Sequence, residues 1–214
     1  MAEDDDRRLR QLPTELWARL REDPVRAPEH VALAAAEYHA PAAAEWAERK
    51  RATFSHSGAE LAAMAKKRHA ALARFGGAAF GVGGIVTVIP DLAALAWVQS
   101  RLVFFVAAAY GFDPRDPMRP AELLVLQGLY PDPATARAAL DGAGKTVAEA
   151  WVGEKLAGSK ERTLANRLLR MVGKRAGKRV AGRLVPGLAI LVNAVGNERD
   201  TRALADRAIR FYGG

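Results

Sequence analysis

The 214-residue chain has no cysteine, which excludes disulfides, thiolate zinc sites and a cysteine nucleophile and fits a cytosolic setting. It also lacks any apolar run of the 18 or so residues that marks a transmembrane helix. Met1 to Arg10 is acidic and then basic, without the apolar core of a secretion signal. Strand signals are almost missing: Ile85 to Ile89 is the single β-branched run, and it abuts Pro90. Catalytic patterns are missing as well. His30, His39, His56 and His69 are too scattered for a metal-ligand motif, and no Ser-His-Asp arrangement or close carboxylate pair offers an acid with its base. No catalytic residue, metal or cofactor is therefore expected.

What is present is helical. Pro13-Thr14 opens a short helix ending near Glu22, and Asp23-Pro24 breaks it. Pro28 suits the first turn of a second helix, where its missing N–H would be unpaired anyway. Pro41 is expected to restart an Ala-rich helix carrying Trp46, and Thr53 to Gly58 reads as an interruption. Leu61 to Phe75 has an apolar face of Leu61, Met64, Ala65, Leu72 and Phe75, with Lys66, Lys67, Arg68 and Arg74 mostly outside it. A glycine-rich helix follows, then Pro90, then a helix from Leu92 to Tyr110. Leu123 to Leu129 and Pro133 to Leu140 continue as helices, the latter with Asp132 as its N-cap.

The segment from Phe75 to Ile89 is uncharged and holds Gly76, Gly77, Gly81, Gly83 and Gly84. Gly77 and Gly81 fall on one helix face, where absent side chains let a second backbone approach closely. Glycine costs close to 1 kcal/mol in a helix interior, so five of them require compensation from tight packing or from contact with a bilayer. Asp91 complements the positive end of the next helix, and Arg101 lies about 15 Å further along by helix rise. A weak repeat at a shift of 96 positions pairs Gly77 with Gly173, Gly81 with Gly177 and Pro90 with Pro186. Two helix-Pro-helix hairpins packed together are expected from it. Gly77, Gly81, Gly84, Pro90, Asp91, Gly173, Gly177 and Pro186 are then the hairpin-packing residues.

The net charge of +8 is unevenly placed. Lys160 to Arg183 holds nine basic residues and one acid, the whole of the excess. Lys174, Arg175, Lys178, Arg179 and Arg183 alternate with apolar residues at helical spacing, the pattern of an amphipathic helix lying on an anionic surface. Nucleic acid is a poorer partner, because the window has no aromatic for stacking and no recognisable binding motif. Ala139 to Thr146 ends in Gly-Lys-Thr and fits the permissive phosphate-loop pattern. Such a loop must follow a buried strand, whereas Pro133 to Leu140 is helical, so nucleotide hydrolysis is not expected.

Three stretches carry a family resemblance: Gly-Gly-Ile-Val-Thr-Val-Ile-Pro-Asp at 83–91, Ala-Ala-Tyr-Gly-Phe-Asp at 108–113 and Leu-Val-Pro-Gly-Leu-Ala-Ile-Leu-Val-Asn-Ala-Val-Gly-Asn at 184–197. In these the chain resembles the bacterial EcsC family, a resemblance that spans about Trp46 to Gly214 and implies a mostly helical protein without an enzymatic activity to carry over. The expected architecture is an all-α single domain of packed hairpins over 28–214, preceded by an extension with a short helix over 1–27. The expected role is that of a cytoplasmic, non-enzymatic binding or scaffold protein at an anionic lipid surface or a membrane protein. The alternative is a soluble enzyme or small-molecule binder with a pocket near Asp91 and Arg101.

Overall fold

A computed structural model describes residues 9, 11–76, 85–147, 149 and 197–214. Among these residues there are seven helices and no strand, so the all-α expectation holds. The helices are α1 (Thr14–Glu22), α2 (Ala27–Phe54), α3 (Gly58–Gly76), α4 (Ile85–Ala109), α5 (Arg119–Leu126), α6 (Pro133–Leu140) and α7 (Asn197–Gly213), with a 3₁₀ turn at Pro24–Arg26.

Local chemistry accounts for most of the boundaries. Asp132 caps α6 by accepting the Thr135 amide at 2.8 Å. Ser57 and Glu60 form a capping box at the start of α3: the Glu60 carboxylate takes the Ser57 amide at 2.8 Å and the Ser57 hydroxyl takes the Glu60 amide at 3.3 Å. Two prolines behave differently from expectation. Pro41 does not restart a helix but lies inside the continuous α2. Pro41 and Glu37, whose carbonyl loses its N–H partner, are both exposed, so water can satisfy that carbonyl. Pro90 likewise lies within α4 rather than between two helices. The helix–Pro–helix break is therefore corrected at this position: the two partners of the hairpin are α3 and α4, and residues 77–84 separate them in sequence.

The core is organised around α4. Every residue from Ala96 to Ala109 is buried, including Trp97, Leu102, Phe104 and Phe105. A helix that is apolar on all sides needs cover on all sides, and α2, α3 and α7 supply it. The alanines of α2, among them Ala35, Ala43 and Ala47, present little bulk and allow close approach. Directions follow from the contacts. His39 meets Trp97 at 4.3 Å, Trp46 meets Phe105 at 5.1 Å and Arg51 reaches the Ala108 carbonyl at 2.7 Å, so α2 and α4 are parallel. Gln99 donates to Thr201 at 3.3 Å while Gly213 lies against the Tyr110 ring, so α7 is parallel to them. His69 meets Phe105 at 5.2 Å and Gly58 abuts Ala109, so α3 runs the opposite way. Leu16 and Leu20 of α1 belong to the same core.

Helices α4, α5 and α6 end by one shared device. In each, a glycine with positive φ (Gly111 at 87°, Gly128 at 74°, Gly142 at 77°) closes a Schellman turn. The following amides return to Ala107, Leu124 and Ala138 at 3.1, 2.9 and 2.9 Å. An arginine from a distant element then covers a carbonyl at each end. Arg51 donates to Ala108 and Ala109 at 2.7 and 2.9 Å, Arg207 to Leu126 at 2.9 Å, and Arg26 to Ala139. Cations at helix C-termini satisfy orphan carbonyls and oppose the macrodipole. Arg51→Met keeps the apolar stem and removes both donors. It is expected to lower stability by about 1–3 kcal/mol, read as a shift of the urea midpoint, and an unchanged midpoint would show that this cap is dispensable.

Candidate functional site

Of the residues singled out for function, Arg101 is placed most informatively. It sits on the buried α4, 9% exposed, with its guanidinium over the Phe105 ring at 4.1 Å and Nη1 3.3 Å from His69 Nε2. His69 is wholly buried and its Nδ1 lies 2.7 Å from the Ala65 carbonyl. That contact assigns the proton to Nδ1 and leaves Nε2 to accept from Arg101. His39, 6% exposed, packs at a tilt against Trp97, and its Nε2 is buried with no hydrogen-bond partner among the described residues. Three helices thus bring three basic side chains into one apolar core.

Both imidazoles are neutral as a result. His39 is held well below the ordinary histidine value, first by burial and then by the positive charge of Arg101 and the neighbouring His69. His69 is lowered to about 3, again by burial first and Arg101 second. This gathering was invisible in the sequence, where the histidines stand 30 residues apart on different helices. Asp91 lies on α4 ten residues before Arg101, about 15 Å by helix rise.

A second buried polar group escaped sequence reading altogether. Glu29, 1% exposed, accepts the Tyr130 hydroxyl at 2.6 Å and the Val147 amide at 3.0 Å through one oxygen. Burial, followed by that carboxylate, pushes the Tyr130 phenol upward and keeps it protonated. Thr146 and Glu149 add a capping box beside it, with the Thr146 amide on Glu149 at 2.8 Å and the Glu149 amide on Thr146 at 3.2 Å. The start of the chain beyond Thr146 is thereby fixed to the first turn of α2. A third group ties α7 down: Tyr212 donates to Glu122 at 2.6 Å, and Arg119 bonds Glu122 and Asp116.

The phosphate-loop lookalike is accounted for by helix termination. Gly142 closes α6, and a side chain at Gly144 would meet the Ala139 nitrogen at 2.7 Å. The Gly144 amide donates to the Ala138 carbonyl at 2.8 Å, so it faces a helix end and not a ligand. No described strand precedes the motif. Lys174, Arg175, Lys178, Arg179 and Arg183, with Gly77, Gly81, Gly84, Gly173, Gly177 and Pro186, lie outside the described residues. No group of metal-ligating side chains occurs among the described residues, and no described helix is long and apolar enough to cross a membrane.

The class defined by this geometry is an all-α bundle built on a buried central helix with a neutral-histidine core. The sequence pattern of the EcsC protein family matches residues 28–213, from the first turn of α2 to the last residue of α7, and the chain belongs to that family. No curated protein and no solved structure gives a match.

The buried imidazoles impose a pH dependence. An unfolded chain takes up a proton on His69 near pH 6.5, the folded one only near 3, so acid favours unfolding progressively between those values. Moving from pH 7 to 4.5 is expected to remove roughly 2–3 kcal/mol of stability through His69 alone. His69→Gln is expected to flatten the slope of stability against pH over that range, whatever its effect at pH 7, when denaturant midpoints are compared. An unaltered slope would place the acid sensitivity elsewhere.

Proposed function

We propose that this protein is a non-enzymatic helical scaffold that associates peripherally with an anionic surface at the cytoplasmic face of a membrane. The observation that carries the reading is the placement of charge: the basic window at 160–183 holds the entire net excess of +8. The described body is closely balanced by comparison. Arg49 pairs with Glu45, Lys66 with Asp206, Arg119 with Asp116 and Glu122, Arg137 with Asp141 and Arg202 with Glu198. Arg26, Arg51 and Arg207 are occupied by helix-end carbonyls. Unmatched cations favour association with anionic headgroups by about 1 kcal/mol each near the surface.

The apolar stretch contributes in two ways. From Ala96 to Ala109 its side chains are core, and lending them to lipid would unmake the bundle. Attachment therefore rests first on electrostatics, with residues 77–84 as the apolar contribution. The cytoplasmic setting rests on the cysteine-free composition. A second reading, a soluble enzyme or small-molecule binder near Asp91 and Arg101, draws on the buried His39, His69 and Arg101. It predicts a thermal shift with a small molecule and indifference to lipid.

Co-sedimentation with vesicles tests the first reading. Binding is expected to phosphatidylglycerol-rich vesicles, not to pure phosphatidylcholine, and to fade as salt rises and charges are screened. Replacing Lys174, Arg175, Lys178 and Arg179 together by Gln is expected to weaken binding roughly 100- to 1,000-fold. Undiminished binding by that variant would remove the basic window from the reading.

A further inference from the structure

We infer that the pole at which α2, α4 and α7 end and α3 begins is a docking surface for a second copy of this chain, with aromatic rings at its centre and an opposite-charge pair on its rim. The inference goes beyond the membrane reading and does not depend on it. Arg51 bonds the Ala108 and Ala109 carbonyls, Gly58 abuts Ala109 and Tyr110, and Gly213 abuts the Tyr110 ring, so the four helix ends meet here. Among the described residues five large apolar side chains are exposed, and three of them, Phe54 at 58%, Phe112 at 42% and Phe211 at 44%, belong to this end. Phe112 and Phe211 flank the buried Tyr212 ring, with centroids at 5.2 and 4.9 Å. Phe54 is the last residue of α2, three positions beyond Arg51, whose guanidinium also lies beside Gly111. Their exposed sequence neighbours Ala52, Thr53, Ser55, Gly111 and Gly213 carry no charge.

The charges nearest the rings are turned inward. Arg51 covers carbonyls, Lys50 Nζ lies over the Phe54 ring at 5.1 Å, Glu60 takes the Ser57 amide and hydroxyl, and Arg119 is held by Asp116 and Glu122. Three rings at these exposures leave roughly 300 Å² of aromatic surface, comparable with the largest apolar patch of an ordinary monomer. What remains beside Phe112 is one charge of each sign. Asp113 and Arg115 are both exposed and form no ion pair among the described residues; Asp113 Oδ1 accepts the Arg115 amide at 2.9 Å, which leaves the guanidinium free. Farther out, the exposed Glu48 and Arg210 repeat the balance. A rim without excess charge neither attracts an anionic bilayer nor repels its own likeness. In a two-fold contact the same patch serves both partners, so Asp113 of each copy is set against Arg115 of the other. That self-complementarity selects a second copy as the occupant. The area is at the low end for a specific interface, so the dimer is weak, with a dissociation constant of the order of 10–100 μM.

Sedimentation equilibrium of the full chain in lipid-free buffer tests the contact. A concentration-dependent equilibrium between monomer and dimer is expected. Persistence of the monomer up to about 500 μM would overturn the inference, the patch then being covered by another segment of the chain or by a different partner. Phe54→Ser alters an exposed position and is expected to weaken the dimer about ten-fold or more, because an aromatic anchor is lost from both copies. Asp113→Lys and Arg115→Glu are each expected to weaken self-association roughly ten-fold by setting like charges together, and an equimolar mixture of the two variants to recover it. Recovery on mixing is a result that mere destabilisation cannot produce. A dimer indifferent to all three substitutions, or a mixture no tighter than its components, would overturn the assignment of this surface. Should Asp113→Lys lower the melting temperature, Arg115→Glu and Phe54→Ser carry the test by themselves.

Discussion

The burial of α4 on every side is the constraint from which the rest of the architecture follows. From Ala96 to Ala109 every residue is buried, so this part of the helix has no face of its own to offer solvent. Full burial of a large apolar side chain contributes roughly 1.5–3 kcal/mol, and Leu102, Val103, Phe104, Phe105 and Val106 stand consecutively in this helix. Such a helix is stable only when enclosed. The length of α2, the opposed direction of α3 and the return of α7 at the far end of the sequence all serve that enclosure. The polar residues between Ala96 and Ala109 are each engaged inside it. Ser100 bonds back to Ala96 at 2.8 Å, Gln99 meets Thr201, and Arg101 lies on Phe105 against His69.

Enclosure leaves helix ends as the weak points, and arginine is the residue that protects them. Its planar fork reaches across the bundle to a carbonyl that a glycine-terminated helix leaves orphaned. The separations involved, 57, 81 and 113 residues, show why no local pattern announces these caps. The same use of arginine lowers the number of cations free on the body and sharpens the contrast with the window at 160–183. A body close to neutral by internal pairing adjoins, in sequence, one strongly cationic stretch.

Much of this fold was legible in the residues. Helical period, the Asp132 cap, the break at Asp23-Pro24 and the pause near Ser55 are set by neighbours within a turn or two, which a single sequence displays. The prolines at 41 and 90 misled for a definite reason. The cost of a proline in a helix, about 3 kcal/mol, is a local quantity, and the burial that outweighs it is not. Exposure of Pro41 and Glu37 and the depth of α4 become apparent only after the helices are packed. The polar groups at the centre were hidden likewise: Glu29 meets Tyr130 and Val147 across 101 and 118 residues, and His69 meets Arg101 across 32. The two capping boxes, Ser57 with Glu60 and Thr146 with Glu149, had a local signal that spacing alone displays.

The seat of Tyr110 has one more implication. A side chain at Gly58 would strike the Ala109 carbonyl at 3.0 Å, and one at Gly213 would strike the Tyr110 ring at 2.9 Å. The ring is thereby clasped by the first residue of α3 and the last residue of α7. A terminal helical turn normally frays early and exchanges its amide hydrogens by local opening. Here the final turn is the far jaw of a clasp on the central helix, and its loosening would uncover Tyr110. Fraying at the carboxyl end thus becomes an event of the whole bundle, and the protection of those amides rises toward that of the interior.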